Sequence, residues 1–394
     1  MLRSLKGLYH YILAIIANVW YGFPGRKLTV IGVTGTDGKT TTTTLTYEIL
    51  KGAGLKVSMI SSVNAVIGGK VYDTGFHVTT PNAFFVQKYM KQAVDNGDTH
   101  MVLEVTSHGL AQHRVLGVPF TVGVITNVTH EHLDWHKSFK SYRRTKISLL
   151  ERAKIAVINR DESELYTVAI GLLRNKRVIS YGIRREAQVT PDTYHFKTKL
   201  PGEFNRYNCL AAISVGVALD IPVKTMTRAI AEFTGIPGRM EVVATDPFQV
   251  IVDFAHTPNA IDRALKTARK LTKKHLIHVF GSAGLRDTGK RPLMGEASAR
   301  YSDSIVLTEE DYRTENVDHI MDAIESGIQG VSTYREADRG KAIAYALSEA
   351  RKGDIVIITG KGHEQSLCRG TTEYPWGDRK EVIKYMTKLR KVKS

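Results

Sequence analysis

The sequence predicts an α/β protein: a central P-loop ATPase-type domain on a mostly parallel sheet, followed by a Rossmann-like α/β C-terminal domain. Three observations predict it. A short apolar run, Leu28–Val33, leads through a glycine loop into a helical stretch, Thr41–Leu50. From residue 28 to about 235, apolar strand-like runs alternate with helical stretches, the signature of parallel strands covered by helices on both faces. After the Pro/Gly-punctuated segment Gly235-Ile236-Pro237-Gly238-Arg239-Met240-Glu241 the same alternation restarts. The expected organisation is an N-terminal apolar helix over 1–27, an ATP-binding domain over 28–236 and the Rossmann-like domain over 237–394.

Taken in order, the expected strands are Thr29–Val33, Val57–Ser61, Met101–Val105, Val122–Thr126 and Ile155–Asn159. In the second domain they are Val250–Asp253, His275–Phe280, Ser304–Thr308 and Asp354–Thr359. The loop Gly35-Thr36-Asp37-Gly38-Lys39-Thr40-Thr41-Thr42 has the context a phosphate needs. Gly35 and Gly38 let backbone N–H groups converge on phosphate oxygens, and the following helix adds the positive end of its dipole. Lys39 supplies a cation for the β/γ-phosphates and Thr40 a hydroxyl for Mg²⁺. The spacing departs from G-x-x-x-x-G-K-[ST]: its first glycine would fall on Val33, and Gly32 is one place early.

With 394 residues, 42% of them hydrophobic and 24% charged, the chain has the composition of an ordinary globular protein. Its two cysteines, Cys209 and Cys368, form no metal or redox motif, which points to a reducing, cytoplasmic setting. The charge balance is unusual: 55 Lys+Arg against 39 Asp+Glu gives +16, and no acid precedes Asp37. No RNA-binding aromatic motif or helix-turn-helix pattern accompanies that charge, so nucleic acid is not an expected partner. Nucleotides, other anionic substrates or an anionic membrane surface suit it.

Tyr9–Tyr21 is almost continuously apolar, with Arg3 and Lys6 before it and Arg26 and Lys27 after it. It is shorter than the roughly 20 residues of a transmembrane helix. It has no small-x-small cleavage site of a signal peptide. Two readings remain: a helix packed on the domain core, or one lying in a membrane interface over residues 1–24 with Trp20 and the tyrosines at headgroup level.

Polar clusters fall at the carboxyl ends of strands, where such sheets bind ligands. Glu104 closes one strand and is a candidate Mg²⁺ ligand, because hard oxygens complete an octahedron shared with phosphates. Beyond another lies Thr126-Asn127-Val128-Thr129-His130-Glu131-His132-Leu133-Asp134-Trp135-His136. His130, His132 and Asp134 match the start of the di-zinc H-x-H-x-D-H pattern. The next histidine is displaced to position 136, and hydrolases of that type lack a phosphate loop.

These residues resemble the Mur ligases, ATP-dependent enzymes of peptidoglycan biosynthesis that add amino acids to cell-wall precursors. Gly35–Thr42 resembles the family's ATP loop. Glu104-Val105-Thr106-Ser107-His108 and Thr126–His136 resemble its metal and adenine segments. Leu200-Pro201-Gly202-Glu203-Phe204-Asn205-Arg206-Tyr207-Asn208, Pro237–Glu241 and Asp253-Phe254-Ala255-His256-Thr257-Pro258 complete the set. Thr79-Thr80-Pro81, Gly289-Lys290-Arg291-Pro292-Leu293-Met294 and Gly360-Lys361-Gly362-His363-Glu364 resemble the branch that joins the third residue to a UDP-muramoyl-dipeptide. The resemblance implies that Gly35, Thr36, Asp37, Gly38, Lys39, Thr40, Thr41, Asn127, Asn205, Arg239, Asp253 and His256 contact ATP. It implies that Thr40, Glu104 and His132 bind Mg²⁺, and that Lys146 is carbamylated so that its new carboxylate orients the metal. Lys39, Glu104, His132 and Lys146 would thus carry catalysis. Chemistry would run through an acyl phosphate that an incoming amine then attacks.

By the same resemblance Thr79, Thr80, Ser107 and Arg114 would grip the muramoyl-peptide, while Arg286, Arg313, Gly360 and Glu364 would recognise the amino acid. The sequence departs from the diaminopimelate-adding pattern at two places. Asp-Asn-Pro-Arg is replaced by Glu310-Asp311-Tyr312-Arg313, and Gly-Gly-Asp-Arg-Asp by Ala283-Gly284-Leu285-Arg286-Asp287. A diaminopimelate-like residue is expected, with lysine or an unusual amino acid as the alternative. The uridine-diphosphate-binding domain that these synthetases place before the ATP loop has no counterpart here, so a lipid-linked acceptor at the inner face of the cytoplasmic membrane is an alternative. Folylpolyglutamate synthetases are the nearest rival, but their loop continues Gly-Lys-Gly-Ser. A regulator that only binds nucleotide would not need Glu104, His132 and Lys146. The amidotransferase-coupled relatives need a four-cysteine zinc ribbon, which two cysteines cannot build.

Overall fold

The computed structural model describes residues 2–72, 80–129 and 138–393, with side chains over 7–72, 80–129 and 138–388. Thr79, His130, His132, Asp134 and His136 lie outside the described residues. The chain divides into two compact units, Met1–Thr234 and Gly235–Ser394.

In chain order the first unit contains α1 (Leu2–Trp20), β1 (Thr29–Thr34), α2 (Lys39–Gly52), β2 (Val57–Ile60), β3 (Ala65–Ile67), β4 (Lys70–Tyr72) and α3 (Ala83–Asp95). Next come β5 (His100–Glu104), α4 (Ser107–Ala111), β6 (Phe120–Ile125), α5 (Phe139–Arg152), β7 (Ile155–Asn159), α6 (Ser163–Leu172), β8 (Arg177–Tyr181), α7 (Glu203–Ala218) and α8 (Val223–Glu232). The described strands form one sheet in the order β4-β3-β2-β5-β1-β6-β7-β8. It is parallel from β2 to β8, with β3 and β4 added antiparallel at one edge. β1 lies between β5 and β6, in a register that sets Val33 beside Glu104. Alternate β1 residues feed opposite faces, as a two-residue repeat requires. Ile31 and Val33 pack with Leu45, Ile49, Leu210 and Ile213, while Val30 packs with Leu103, Val86, Met90 and Phe120.

The second unit contains β9 (Glu241–Ala244), β10 (Gln249–Val252), α9 (Pro258–Leu271), β11 (Leu276–Phe280), α10 (Lys290–Ala299), β12 (Ser304–Leu307) and α11 (Val317–Glu325). β13 (Ser332–Arg335), α12 (Arg339–Glu349), β14 (Ile355–Ile358), β15 (Ser366–Arg369), β16 (Thr372–Pro375) and α13 (Asp378–Lys393) complete it. Its sheet runs β13-β12-β11-β14-β10-β9, parallel except for β9, and β15–β16 is a separate hairpin. The fully buried Arg339 ties the unit together. Its guanidinium pairs with Asp378 at 2.8 and 2.7 Å and donates to Thr359 O at 2.8 Å and Glu309 O at 3.1 Å. A bidentate guanidinium with a partner on every nitrogen is the form in which such a charge tolerates burial.

The fold is the expected α/β architecture. Strand ends differ from expectation by a residue or two. Helix α2 begins at Lys39 rather than Thr41, because the left-handed Gly38 (φ 80°) ends the loop immediately before it. Among the described residues no helix is long and apolar enough to cross a membrane.

Candidate active site

The loop between β1 and α2 is clamped before any ligand arrives. Thr36 N donates to Asn127 O at 2.9 Å, Asp37 N to Asn127 Oδ1 at 2.9 Å, and Asn127 Nδ2 and Thr126 Oγ1 to Asp37 O at 3.1 and 2.7 Å. Thr36 Oγ1 lies 3.2 Å from Tyr142 Oη. The clamp explains both glycines. A Cβ on Gly35 would fall 1.8 Å from Thr126 Oγ1, and one on Gly38 would fall 2.3 Å from Asn208 Oδ1. The loop closes on its neighbours only where side chains are missing, and it leads directly into the α2 N-terminus, the end of a helix that favours anions. Lys39 Nζ donates to Thr36 O at 2.8 Å, which folds the ammonium over the loop. Thr41 follows, buried in the first turn of α2.

Glu104, at the carboxyl end of β5, is fully buried. Its Oε1 accepts from Thr40 Oγ1 at 3.1 Å and Ser62 Oγ at 2.8 Å, and its Oε2 from Ser62 N at 2.8 Å. Its backbone oxygen accepts from Thr80 Oγ1 at 3.1 Å. Thr80 in turn receives Thr106 N at 2.9 Å, and its carbonyl receives Arg114 Nη1 at 2.5 Å. Ser107 is buried at the start of α4, which Thr106 caps through Gly109 N at 3.0 Å. Thr80, Ser107 and Arg114 therefore gather around the strand that carries Glu104. Burial lowers the Arg114 pKa from its ordinary value.

Lys146 projects from α5, only 2% exposed, donates to Gly35 O and lies 4.6 Å from the Tyr142 ring centroid. Asn205 is one step removed from the loop: it accepts from Asn208 Nδ2 at 3.0 Å, and Asn208 makes the loop contact.

The residues fit Mg²⁺ and a nucleoside triphosphate. A fully buried carboxylate is costly unless compensated, and among the described residues no Lys or Arg side chain pairs with Glu104. Two hydroxyls and one carboxylate are hard oxygen donors of the kind Mg²⁺ takes alongside phosphates. Among the described residues no three His, Cys, Asp or Glu gather into a metal cage. The ligand's own oxygens would have to complete the coordination.

In the second unit, Arg239 lies 4.3 Å over the Phe254 ring, whose other neighbours are His256 and His363 at centroid distances of 4.7 and 5.0 Å. Asp253 accepts from Met240 N at 2.6 Å and Ala255 N at 2.8 Å. Burial pushes its carboxyl above the ordinary range, with Arg239 and those amides pulling the other way. His256 Nδ1 lies 2.9 Å from Phe254 O, which as acceptor fixes the proton on that nitrogen. Gly238 has no room for a side chain, since a Cβ would lie 2.1 Å from His363 N.

A second cluster in the same unit joins the expected amino-acid contacts. Arg313, left-handed at φ 54°, donates from Nη1 to Gly284 O at 2.7 Å, while its carbonyl accepts from Gly370 N at 2.7 Å. Lys361 is fully buried and pairs with Asp311 at 2.7 Å and Glu364 at 2.5 Å. Glu310 Oε2 is buried without a hydrogen-bond partner and would lie 2.8 Å from a Cβ on Gly360. Burial raises the Glu310 pKa, opposed by Lys290, His256 and Lys361. Arg286 is exposed on the loop whose Gly284 carbonyl Arg313 holds. Arg313, Gly360 and Glu364 are thus brought to one network, with Arg286 at its edge.

Sequence reasoning missed Ser62, which shares Glu104 with Thr40. The signal was present: Ser62 follows β2 at the sheet end where Glu104 lies. Asn208, Lys361 and His363 stood in recognised runs without assigned roles.

The chain is similar to known proteins over most of its length. Family models described as Mur ligase middle domain and Mur ligase, glutamate ligase domain match residues 33–216 and 238–362. A UDP-N-acetylmuramyl-tripeptide synthetase of Roseiflexus sp. (strain RS-1) is 36% identical, the alignment covering 96% of this chain and 82% of that protein. A UDP-N-acetylmuramoyl-L-alanyl-D-glutamate--2,6-diaminopimelate ligase of Geobacillus thermodenitrificans (strain NG80-2) is 38% identical, covering 93% and 80%. A solved structure of a ligase of that same name superposes with a TM-score of 0.62 at 28% identity, covering 92% of this chain and 79% of that one. The folylpolyglutamate synthase of Mycobacterium tuberculosis shares the fold at TM-score 0.72, but only 16% identity. The family models and the similarity over nearly the whole of this chain lead to one conclusion: this chain belongs to the Mur ligase family of ATP-dependent amide-forming ligases.

Proposed function

We propose that the chain adds a diamino acid, with diaminopimelate first in order, to the terminal carboxylate of a muramoyl-dipeptide, using ATP and Mg²⁺. The observation that carries this reading is the double use of Glu104. Its side chain holds Thr40 on the nucleotide side, and its backbone oxygen holds Thr80 on the acceptor side. A γ-phosphate and an acceptor carboxylate bound to those groups would meet at the carboxyl end of β5.

The acceptor carboxylate attacks the γ-phosphorus and breaks its bond to ADP, giving an acyl phosphate. The amino group of the incoming residue then attacks the acyl carbon and expels phosphate. Lys39 and the loop amides hold the phosphates, and Asn127 sets the loop's shape. Thr40 and Glu104, with His132 and a carbamylated Lys146, would hold Mg²⁺, which would spread the charge of the transferring group. Arg239, Asp253 and His256 are the nucleotide contacts of the second unit. Arg313 is the carboxylate clamp for the amino acid, with Glu364 and Gly360 beside it and Arg286 at the rim. Thr79, Thr80, Ser107 and Arg114 bind the muramoyl-peptide. The setting is the cytoplasm, at the inner face of the membrane, with no nucleic-acid partner.

The test is phosphate release across a matrix of UDP-linked, lipid-linked and free muramoyl-dipeptides against diaminopimelate, lysine and other diamino acids. Release that needs both an acceptor and a diamino acid supports the reading, and the best pair names the substrates. Tight ATP binding without turnover on any pair overturns it.

A further inference from the structure

Helix α1 is turned inside out relative to an ordinary surface helix. Its inward side is small and polar: Ala14 and Ala17 pack on Ala83, and Asn18 Nδ2 donates to Leu116 O at 2.9 Å and Ala14 O at 2.7 Å. Its outward side carries Leu8, Tyr9, Tyr11, Ile12, Ile15, Ile16, Val19 and Trp20, from 42% to 77% exposed. At about 100° per residue these cover roughly half of the helix circumference. No Lys, Arg, Asp or Glu interrupts residues 7–25. An apolar face of this continuity marks a binding surface rather than scattered exposure.

Charge selects the occupant. Arg3 and Lys6 precede the face, Arg26 and Lys27 follow it, and no acid occurs before Asp37. A second copy laid on this face, parallel or antiparallel, would bring cations against cations. An anionic lipid surface satisfies both features at once: acyl chains receive the apolar half and headgroups receive the flanking cations. Trp20, the most exposed of the eight at 77%, sits at the end nearest Arg26 and Lys27, where an aromatic belongs at headgroup level. From Leu8 to Trp20 the helix is about 20 Å long, shorter than the roughly 30 Å hydrocarbon core, so it lies in the interface rather than across it.

We propose that α1 is an interfacial anchor that holds the enzyme reversibly on anionic bilayers, apolar half inward to the acyl chains. The proposal rests on the membrane-face localisation above and is independent of the ligase chemistry.

The experiment is co-sedimentation of the full chain with phosphatidylcholine vesicles, with and without phosphatidylglycerol, at low and high salt. The variants are the double substitution Ile12→Asp with Ile16→Asp, and Val71→Asp on β4 as an exposed apolar control. The wild type and Val71→Asp should sediment with anionic vesicles, less at high salt and less with phosphatidylcholine alone. The double variant should bind at least about tenfold more weakly. Its far-ultraviolet circular dichroism and its turnover of a soluble UDP-linked acceptor should match the wild type, which separates loss of anchoring from loss of fold. Equal sedimentation of wild type and double variant overturns the proposal, as does indifference to phosphatidylglycerol. So does vesicle-free self-association that the double variant abolishes, which would make the face an interface between copies. Failure of the ligase reading would look different: no turnover in either protein, with lipid binding unchanged.

Discussion

Glu104 serves with separate atoms, its carboxylate on Thr40 and Ser62 and its carbonyl on Thr80, so a substitution can remove one service and spare the other. Glu104→Gln keeps the size and the backbone contact while removing the negative charge that Mg²⁺ would meet. Turnover at saturating ATP should fall by about 10²-fold or more, and the Mg²⁺ concentration for half-maximal rate should rise, with the acceptor KM nearly unchanged. A Mg²⁺ titration of phosphate release reads both quantities, and an unchanged half-maximal concentration would contradict the metal role. Lys39→Ala tests the other side of the loop. Its ammonium rests on Thr36 O, a contact that α2 survives losing, so the fold should persist while turnover falls about 10²–10³-fold. At this scale the sequence told much but not everything. Lys39 and Glu104 stand out because local context names them: a glycine loop and a strand end. Ser62 carries the same strand-end signal, but its pairing with Glu104 does not show, because that partner lies 42 residues away and only the order of strands brings them together.

Among elements, β11 carries an interior residue with a measurable signature. His278 is fully buried, stacked on Phe280 at a centroid distance of 4.3 Å, between Ser298 Oγ at 2.8 Å and Thr359 Oγ1 at 3.0 Å. Burial, with a smaller contribution from Arg339, pushes its pKa from 6.5 down to about 3. The unfolded chain therefore binds a proton below pH 6.5 that the folded one refuses until about pH 3. Stability from this group is whole above pH 6.5 and drains as pH falls through that window. Its slope should approach about 1.4 kcal/mol per pH unit. Raised carboxyls at Asp253 and Glu310 act in the opposite sense, so the comparison must be differential. Denaturant unfolding of wild type and His278→Gln between pH 7 and 5 should show the wild type losing stability faster by about that slope. Parallel pH curves would place the proton elsewhere. Elements also divide in how well the sequence revealed them. The central parallel strands are unbroken apolar runs buried on both faces, and each was legible. β3, β4, β8, β9, β13, β15 and β16 were not: all are only three to five residues long, β4, β13 and β16 face solvent, and β3 and β15, though buried, are too short to show a pattern.

For the molecule as a whole, the proposed assignment puts nucleotide contacts in both units and separates only the acceptor from the amino acid. Lys39, Thr40, Glu104 and the proposed acceptor contacts Thr80 and Arg114 all belong to the first unit, and the proposed amino-acid contacts Arg313, Gly360 and Glu364 to the second. The acyl phosphate needs nucleotide and acceptor, and only the second step needs the amino acid. The division makes the steps separable by substitution. Arg313 spends one guanidinium nitrogen on Gly284 O, and the rest of its planar fork is what a bidentate carboxylate contact would use. Arg313→Lys keeps a cation but not the fork, so it should raise the KM for the amino acid about tenfold or more. It should leave acyl-phosphate formation near the wild-type rate. Hydroxylamine, which captures acyl phosphates as hydroxamates without any amino acid, reads the first step alone. Lys39→Ala should lose hydroxamate formation and peptide formation together, whereas Arg313→Lys should lose only the latter at limiting amino acid. If Arg313→Lys also loses the hydroxamate, Arg313 acts on the phosphoryl step rather than on recognition.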